Sequence, residues 1–227
     1  MKSLPSRTFD AVSRPFAKKE LVETARTRSR ESPRDGHLTW GKTLEGDNFI
    51  QKVAAYGGFG PDKSVMEVGP GYGRLLKALL RTQMPFKDYL GIDISEKNVA
   101  HLKGAFPVPN IDFVRADIET FSLDRSFDLF YSSLTLKHFF PSFEAALRNV
   151  SSRLLNKKAK VIFDLIEGPR SAWWKGRNWE QDKTYVRNCS KDEVRRILAK
   201  ANLEFRAFDT VEHDPEHIRL LVVAEKC

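Results

Sequence analysis

Three acidic residues stand at the ends of successive apolar runs, at a spacing that suits the binding of a nucleoside. Glu67 lies inside the end of a run closing at Val68, Asp93 closes Tyr89–Ile92, and Asp117 follows Ile111–Val114. After the first run comes a glycine-rich turn, Gly69-Pro70-Gly71-Tyr72-Gly73, and then Leu75, Leu76, Leu79 and Leu80 at helical spacing. Strand, tight turn and helix together put backbone N–H groups and a helix N-terminus at the C-terminal end of a strand. Asp93, 20 residues after Gly73, is placed to accept hydrogen bonds from ribose hydroxyls. NAD enzymes share that acid, so it speaks for a nucleoside and not for one cofactor. The dinucleotide fingerprint G-x-G-x-x-G/A is broken, because Arg74 takes its third position and the third glycine comes one residue early.

The pattern Glu67-x-Gly69-x-Gly71-x-Gly73 resembles the first motif of class I S-adenosylmethionine (SAM) dependent methyltransferases, and the resemblance covers roughly Asp47–Lys226. It implies that Glu67, Gly69, Pro70, Gly71, Gly73, Asp93 and Ile94 bind SAM. Asp117 and Ile118 would sit by the adenine, with Ser132 and Ser133 on the same edge after the fourth strand. It also implies a helix ahead of the first strand that closes over the cofactor, with Trp40 near its start in contact. The competing reading of Trp40 is a plug at the edge of the core. The product would be S-adenosylhomocysteine (SAH).

Methyl transfer from a sulfonium is an in-line displacement, so the protein mainly aligns the partners and excludes water. A base helps only where the acceptor is a hydroxyl or a protonated amine. His138 is the candidate catalytic base, since many small-molecule relatives carry a histidine beyond the loop after strand four. A structural hydrogen bond is its other reading. The segment Ser132-Ser133-Leu134-Thr135 is neither the Asn/Asp-Pro-Pro-Tyr/Phe motif of exocyclic amine methylation nor the Pro-Cys pair of cytosine C5 methylation. The acidic cluster of catechol-type Mg²⁺ enzymes is missing too. These absences favour metal-free transfer to an O or N atom of a small molecule.

Gly168–Asn188 breaks the βα rhythm with three of the four tryptophans, several basic residues and no clean period. It reads as an irregular insertion that caps the acceptor, because long loops in compact domains are usually functional. Trp173 and Trp174 offer stacking surfaces, and Arg187 offers a planar fork for an anion. In relatives, positions like those of Tyr185 and Arg187 often contact the acceptor. The acceptor expected is therefore small and anionic, glycosidic or aromatic. The same residue mix would also bind an RNA base beside its phosphates.

The elements that must position these residues alternate regularly. Asp47 is a plausible helix cap and Gly57 a stop, Ser95 caps a helix to about Gly104, and Ser142 caps one through Leu154. Ala159–Ile166 makes a fifth strand, Ser190-Lys-Asp-Glu193 is a capping box, and Phe205–Thr210 with Ile218–Ala224 form a closing antiparallel pair. The fold class that follows is α/β: a doubly wound, mostly parallel seven-stranded sheet with an antiparallel C-terminal hairpin. The 227 residues divide into a basic extension or lid over 1–42 and a catalytic domain over 43–227, with the cap insertion at about 168–188.

Composition narrows the class further. Two cysteines exclude a cysteine-rich zinc site and suit a reducing, cytoplasmic setting. No apolar run is long enough to span a membrane, and the first residues lack the apolar core of a secretory signal. The net charge is +8, and residues 1–36 hold nine basic against five acidic residues. That basic segment keeps an RNA methyltransferase open as an alternative, although nucleic acid is not the favoured partner. A non-catalytic SAM-binding accessory protein is the rival of another kind.

Overall fold

The run Ser64–Val68 becomes strand β1, and all five of its residues are buried. An apolar run of this kind, covered on both faces, belongs at the centre of a parallel sheet. The computed structural model describes residues 46–177, 183–212 and 218–227, with the backbone alone over 173–177 and 183–186. The remaining strands are β2 (Asp88–Asp93), β3 (Ile111–Arg115), β4 (Phe127–Ser132), β5 (Leu155–Glu167), β6 (Ala172–Arg177), β7 (Lys183–Cys189), β8 (Leu203–Glu212) and β9 (Ile218–Lys226). The helices are α1 (Asp47–Ala55), α2 (Arg74–Arg81), α3 (Glu96–Ala105), α4 (Glu144–Arg153) and α5 (Lys191–Lys200), with a 3-10 turn at Leu136–His138.

The first five strands lie side by side in the order β3-β2-β1-β4-β5, all parallel. Because β1 has β2 on one side and β4 on the other, the switch point of the sheet falls at its C-terminal end. β9 runs antiparallel against β5, and β8 against β9. The seven-stranded doubly wound core is thus the one expected.

Two layers of helix cover the sheet. Phe49, Ile50 and Val53 of α1, Leu75, Leu76 and Leu79 of α2, and Val99 and Leu102 of α3 share one core cluster. Ala146, Leu147 and Val150 of α4 join Val194, Ile197 and Leu198 of α5 in the other. The eight-residue α2 is too short to stand alone in water. Its three buried leucines, at about 1.5–3 kcal/mol each, hold it on the sheet and so fix the glycine turn before it.

Three local expectations are corrected. Asp47 is the first residue of α1, and Gly46 takes the cap position at φ 82°, while the Asp47 carboxylate pairs with Arg81. A cross-helix cation outcompetes the N–H groups of the first turn for that carboxylate. Strand β5 starts at Leu155 and runs 13 residues, because its charged first residues lie beyond any apolar pattern. The segment 168–188 is a β-hairpin and not an irregular loop: β6 and β7 pair antiparallel from Ala172↔Asn188 to Arg177↔Lys183. The end of β5 overruns β9 and pairs in parallel with β7 at Ile166↔Asn188 and Glu167↔Cys189. Backbone pairing seeded by that overrun does not need side-chain alternation, so the period of two never appeared. Gly57, Ser95 and Ser190 end or cap their helices as expected. Of the capping box only half forms, since Ser190 N–H donates to Ser171 Oγ.

Candidate active site at the sheet switch point

The glycine turn bends across the end of β1 with Gly69 and Gly71 both at positive φ, 73° and 59°. Their surroundings differ. A Cβ built on Gly69 would lie 2.9 Å from Thr135 Cβ and nearer still to its Oγ1 and Cγ2, whereas one on Gly71 would meet nothing within 4 Å among the described residues. Gly69 is therefore packed against the segment after β4, and Gly71 borders open space. Asp93, at the end of β2, holds the turn from below. Its Oδ2 accepts from Gly71 N–H at 3.1 Å and Asn98 Nδ2 at 3.3 Å, and Oδ1 accepts from Ser95 N–H at 2.8 Å. Burial raises the Asp93 pKa, against the lowering effect of those donors.

Glu67 is 2 % exposed and accepts from Tyr89 Oη at 2.6 Å. Burial pushes its pKa up to about 7, with Tyr89, Tyr131 and the charge of Arg74 opposing the rise and Asp93 adding to it. The Tyr131 hydroxyl faces the same carboxyl group without reaching a partner at hydrogen-bond geometry. Glu67 is thus a buried acid on the inner side of the turn.

The segment after β4 is laced to the turn by side-chain bonds. Ser132 Oγ donates to Val68 O at 2.7 Å, and Thr135 Oγ1 donates to Gly69 O at 3.3 Å. Asp164, toward the C-terminal end of β5 and 1 % exposed, accepts from Ser133 Oγ at 2.6 Å and from Leu134 N–H at 2.7 Å. Those two bonds hold Leu134 at φ 60°, a left-handed conformation that a bulky residue keeps only when its surroundings demand it. Ser133 Oγ accepts in turn from Arg74 Nη2 at 2.9 Å.

A glycine turn, two buried acids and a serine-rich segment thus converge where nucleosides bind in open α/β sheets. Residues 66–163 match the family model described as "Methyltransferase domain". The fold is that of the class I methyltransferases.

Among curated proteins, the chain is similar to the phthiotriol/phenolphthiotriol dimycocerosates methyltransferase of Mycobacterium tuberculosis, 34% identical over 89 residues. That match takes in 39% of this chain and 32% of the relative, so it spans about a third of the curated protein. Among solved structures, the glycopeptide N-methyltransferase MtfA complexed with SAM superposes with a TM-score of 0.67 at 15% identity, over 82% of this chain and 96% of that one. The Burkholderia thailandensis 1,6-didemethyltoxoflavin-N1-methyltransferase, with its acceptor and SAH bound, gives 0.66 at 16% identity, over 100% and 92%. At these identities the structural matches speak for the fold.

Most of the methyltransferase-motif residues meet at this edge. Glu67, Gly69, Pro70, Gly71, Gly73, Asp93, Ser132 and Ser133 form or abut the turn. Ile94 is half-buried beside Asp93. Asp117 follows β3, caps its own short turn through Glu119 N–H, and leads into Ile118, which is buried. A short turn follows Asp117. The residues fit SAM on two observations: the space above Gly71 is open, and Asp93 has three donors for about four acceptor directions.

His138 ends the 3-10 turn, half-buried, and that turn packs against β7. Trp173, Trp174 and Tyr185 lie on the hairpin strands, with Trp173 opposite Arg187 and Tyr185 opposite Lys175. Arg187 pairs with Glu193 in the first turn of α5, at 12 % and 17 % exposure. Trp40 lies outside the described residues, as does the whole basic extension. Sequence reasoning missed Asp164, Tyr89, Tyr131 and Thr135, and took Arg74 only as a break in a fingerprint. Asp164 was legible as a lone acid within Val161–Ile166, since an apolar strand retains a carboxylate only when something bonds it.

Proposed function

We propose that the protein binds SAM at the switch point and transfers its methyl group to an O or N atom of a small-molecule acceptor under the β6–β7 hairpin. The observation that carries this reading is the packing of the turn bearing His138 against β7. It brings a candidate base and a tryptophan-bearing hairpin to the edge that also holds Asp93 and the glycine turn. SAM supplies, when bound, a methyl group activated by a sulfonium, and SAH is the leaving product. Asp93 would take the ribose hydroxyls, Asp117 and Ile118 would flank the adenine, and Ser132 and Ser133 close the turn from the β4 side. His138 would accept the proton that an O–H or N–H acceptor gives up.

The acceptor is anionic, aromatic or glycosidic, as Trp173, Trp174, Tyr185 and Arg187 suggest. Two structural neighbours, a glycopeptide N-methyltransferase and a 1,6-didemethyltoxoflavin-N1-methyltransferase, support a small-molecule acceptor. The domain runs over 43–227, with 1–42 as an extension and 168–188 as the cap. Two free cysteines, one buried and one exposed, agree with a cytoplasmic setting, and no helix among the described residues is long and apolar enough to cross a membrane.

The test is methyl transfer from isotopically labelled SAM to a panel of small phenolic, carboxylated and glycosidic acceptors, with bulk RNA alongside. Transfer to a small acceptor supports the reading. Transfer to RNA alone, with binding that weakens steeply as salt rises, would favour the basic extension as a nucleic-acid arm. SAM binding with no transfer to any acceptor would favour the accessory role.

A further inference from the structure

Arg74 opens α2 directly after the glycine turn, and its guanidinium is only partly used. Nη2 donates to Ser133 Oγ at 2.9 Å. Nη1 is buried and has no hydrogen-bond partner among the described residues. The direction of the whole chain of bonds is settled. Ser133 has one hydroxyl proton, and it goes to Asp164 Oδ2, at 2.6 Å. The hydroxyl oxygen is then left to accept from Arg74. The guanidinium cannot turn away to satisfy Nη1 without giving up that bond.

Nη1 lies at a junction of three element ends. It is 3.4 Å from where a Cβ on Gly46 would stand, at the start of α1, while Arg74 itself starts α2 and Ser133 follows β4. Gly46 supplies no side-chain cap to α1, and Asp47 is taken up by Arg81. The nearby carboxylates that act on Arg74 are Asp164 and Glu67. Asp164 is committed to Ser133 and Leu134, and Glu67 to Tyr89. A buried cationic donor left over among groups already committed is costly, and an anion brought in with the ligand would relieve it.

We propose that Arg74 binds the carboxylate at the amino-acid end of the cofactor, with Ser133 and Asp164 holding its guanidinium in position. SAM carries two positive groups, the sulfonium and the ammonium, and one negative group, the carboxylate. The acids of this edge, Glu67, Asp93 and Asp117, suit hydroxyls and cations. Arg74 suits the anion. Asp164 is a positioning residue here, acting through Ser133. Replacing it with Asn would present an amide N–H₂ to Ser133, turning the hydroxyl proton toward Nη2 and pushing the guanidinium away. The proposal rests on SAM being the cofactor and is independent of the acceptor.

The experiment is calorimetric titration of the full chain with SAM and with decarboxylated SAM, which lacks only the carboxylate. The wild-type protein should bind SAM at least tenfold more tightly. In Arg74→Gln, SAM affinity should fall about 10- to 100-fold while decarboxylated SAM changes by less than about threefold, so that discrimination disappears. Asp164→Asn should lose part of the same discrimination. Equal affinity of the wild-type protein for both ligands, a comparison that needs no variant, overturns the role of Arg74 and leaves the cofactor reading standing. Parallel loss of both ligands in Arg74→Gln marks a structural role and overturns it as well. Failure of the wild-type protein to bind either ligand overturns the cofactor reading and this proposal together.

Discussion

Thr135 fills the space beside Gly69 in which any side chain on that glycine would have to stand. The contact joins the cofactor turn to the segment after β4, so a change on one side is felt on the other. Gly71 shares the positive φ of Gly69 but has no neighbour among the described residues within 4 Å of a built Cβ. Both substitutions to Ala carry the backbone penalty of about 1–2 kcal/mol. Gly69→Ala should cost about 1–3 kcal/mol more, from overpacking against Thr135. Gly71→Ala should spare the fold beyond the shared penalty and weaken SAM, because its methyl group enters the open space. Denaturant melts and SAM titrations of both variants check this; equal melts would remove the Thr135 contact from the argument.

Glu67 should make stability depend on pH in an unusual direction. Its folded pKa of about 7 lies above the ordinary value of 4.5, so between those values the folded chain holds more protons than the unfolded chain. Stability from this group is then complete below about pH 4.5 and is lost as pH rises through about 7, with about 3 kcal/mol as the upper bound. Glu67→Gln stays neutral and can still accept from Tyr89. Its denaturation midpoint should fall less than that of wild type between pH 5 and pH 8. Identical slopes in the two proteins would sink the assignment.

His138→Ala separates catalysis from packing. A positioned base contributes about 10²–10⁴ to the rate. The variant should lose that much in kcat/KM and lose the acidic limb of the pH–rate profile, with SAM affinity unchanged within about threefold. A drop in melting temperature and in SAM affinity, with the pH profile intact, would mark the histidine as structural.

The Arg187–Glu193 pair allows a double test of the proposed acceptor site. Among the described residues, Nε and Nη1 of Arg187 and Oε2 of Glu193 are buried without partners, so the pair is enclosed but incompletely satisfied. Arg187→Ala should cost about 3–5 kcal/mol by stranding Glu193, and the double change Arg187→Leu/Glu193→Leu should recover most of it. If Arg187 also holds an anionic acceptor, the recovered double variant will still show a raised acceptor KM with SAM affinity unchanged. A double variant with wild-type KM would confine Arg187 to structure.

Much of this protein was legible in one dimension, for reasons of local physics. The buried run of β1, the glycine turn and the leucine spacing of α2 follow from contacts within a few residues, and so do the Ser95 and Ser190 caps. The acids at the ends of β1, β2 and β3 could be placed on one edge because parallel strands joined by helices must all end there. What the sequence could not contain is pairing across distance. Ser133 and Asp164 stand 31 residues apart and Gly69 and Thr135 66 apart, and nothing in either local pattern names the other. Strand β7 likewise exists because β5 overruns its neighbour β9, a fact of register between elements and not of the residues in the hairpin. Arg74 shows the division most plainly. Along the chain it was a mismatch in a glycine pattern, and only the sheet, by setting β4 and β5 beside α2, made it a cation held by Ser133 with one donor to spare.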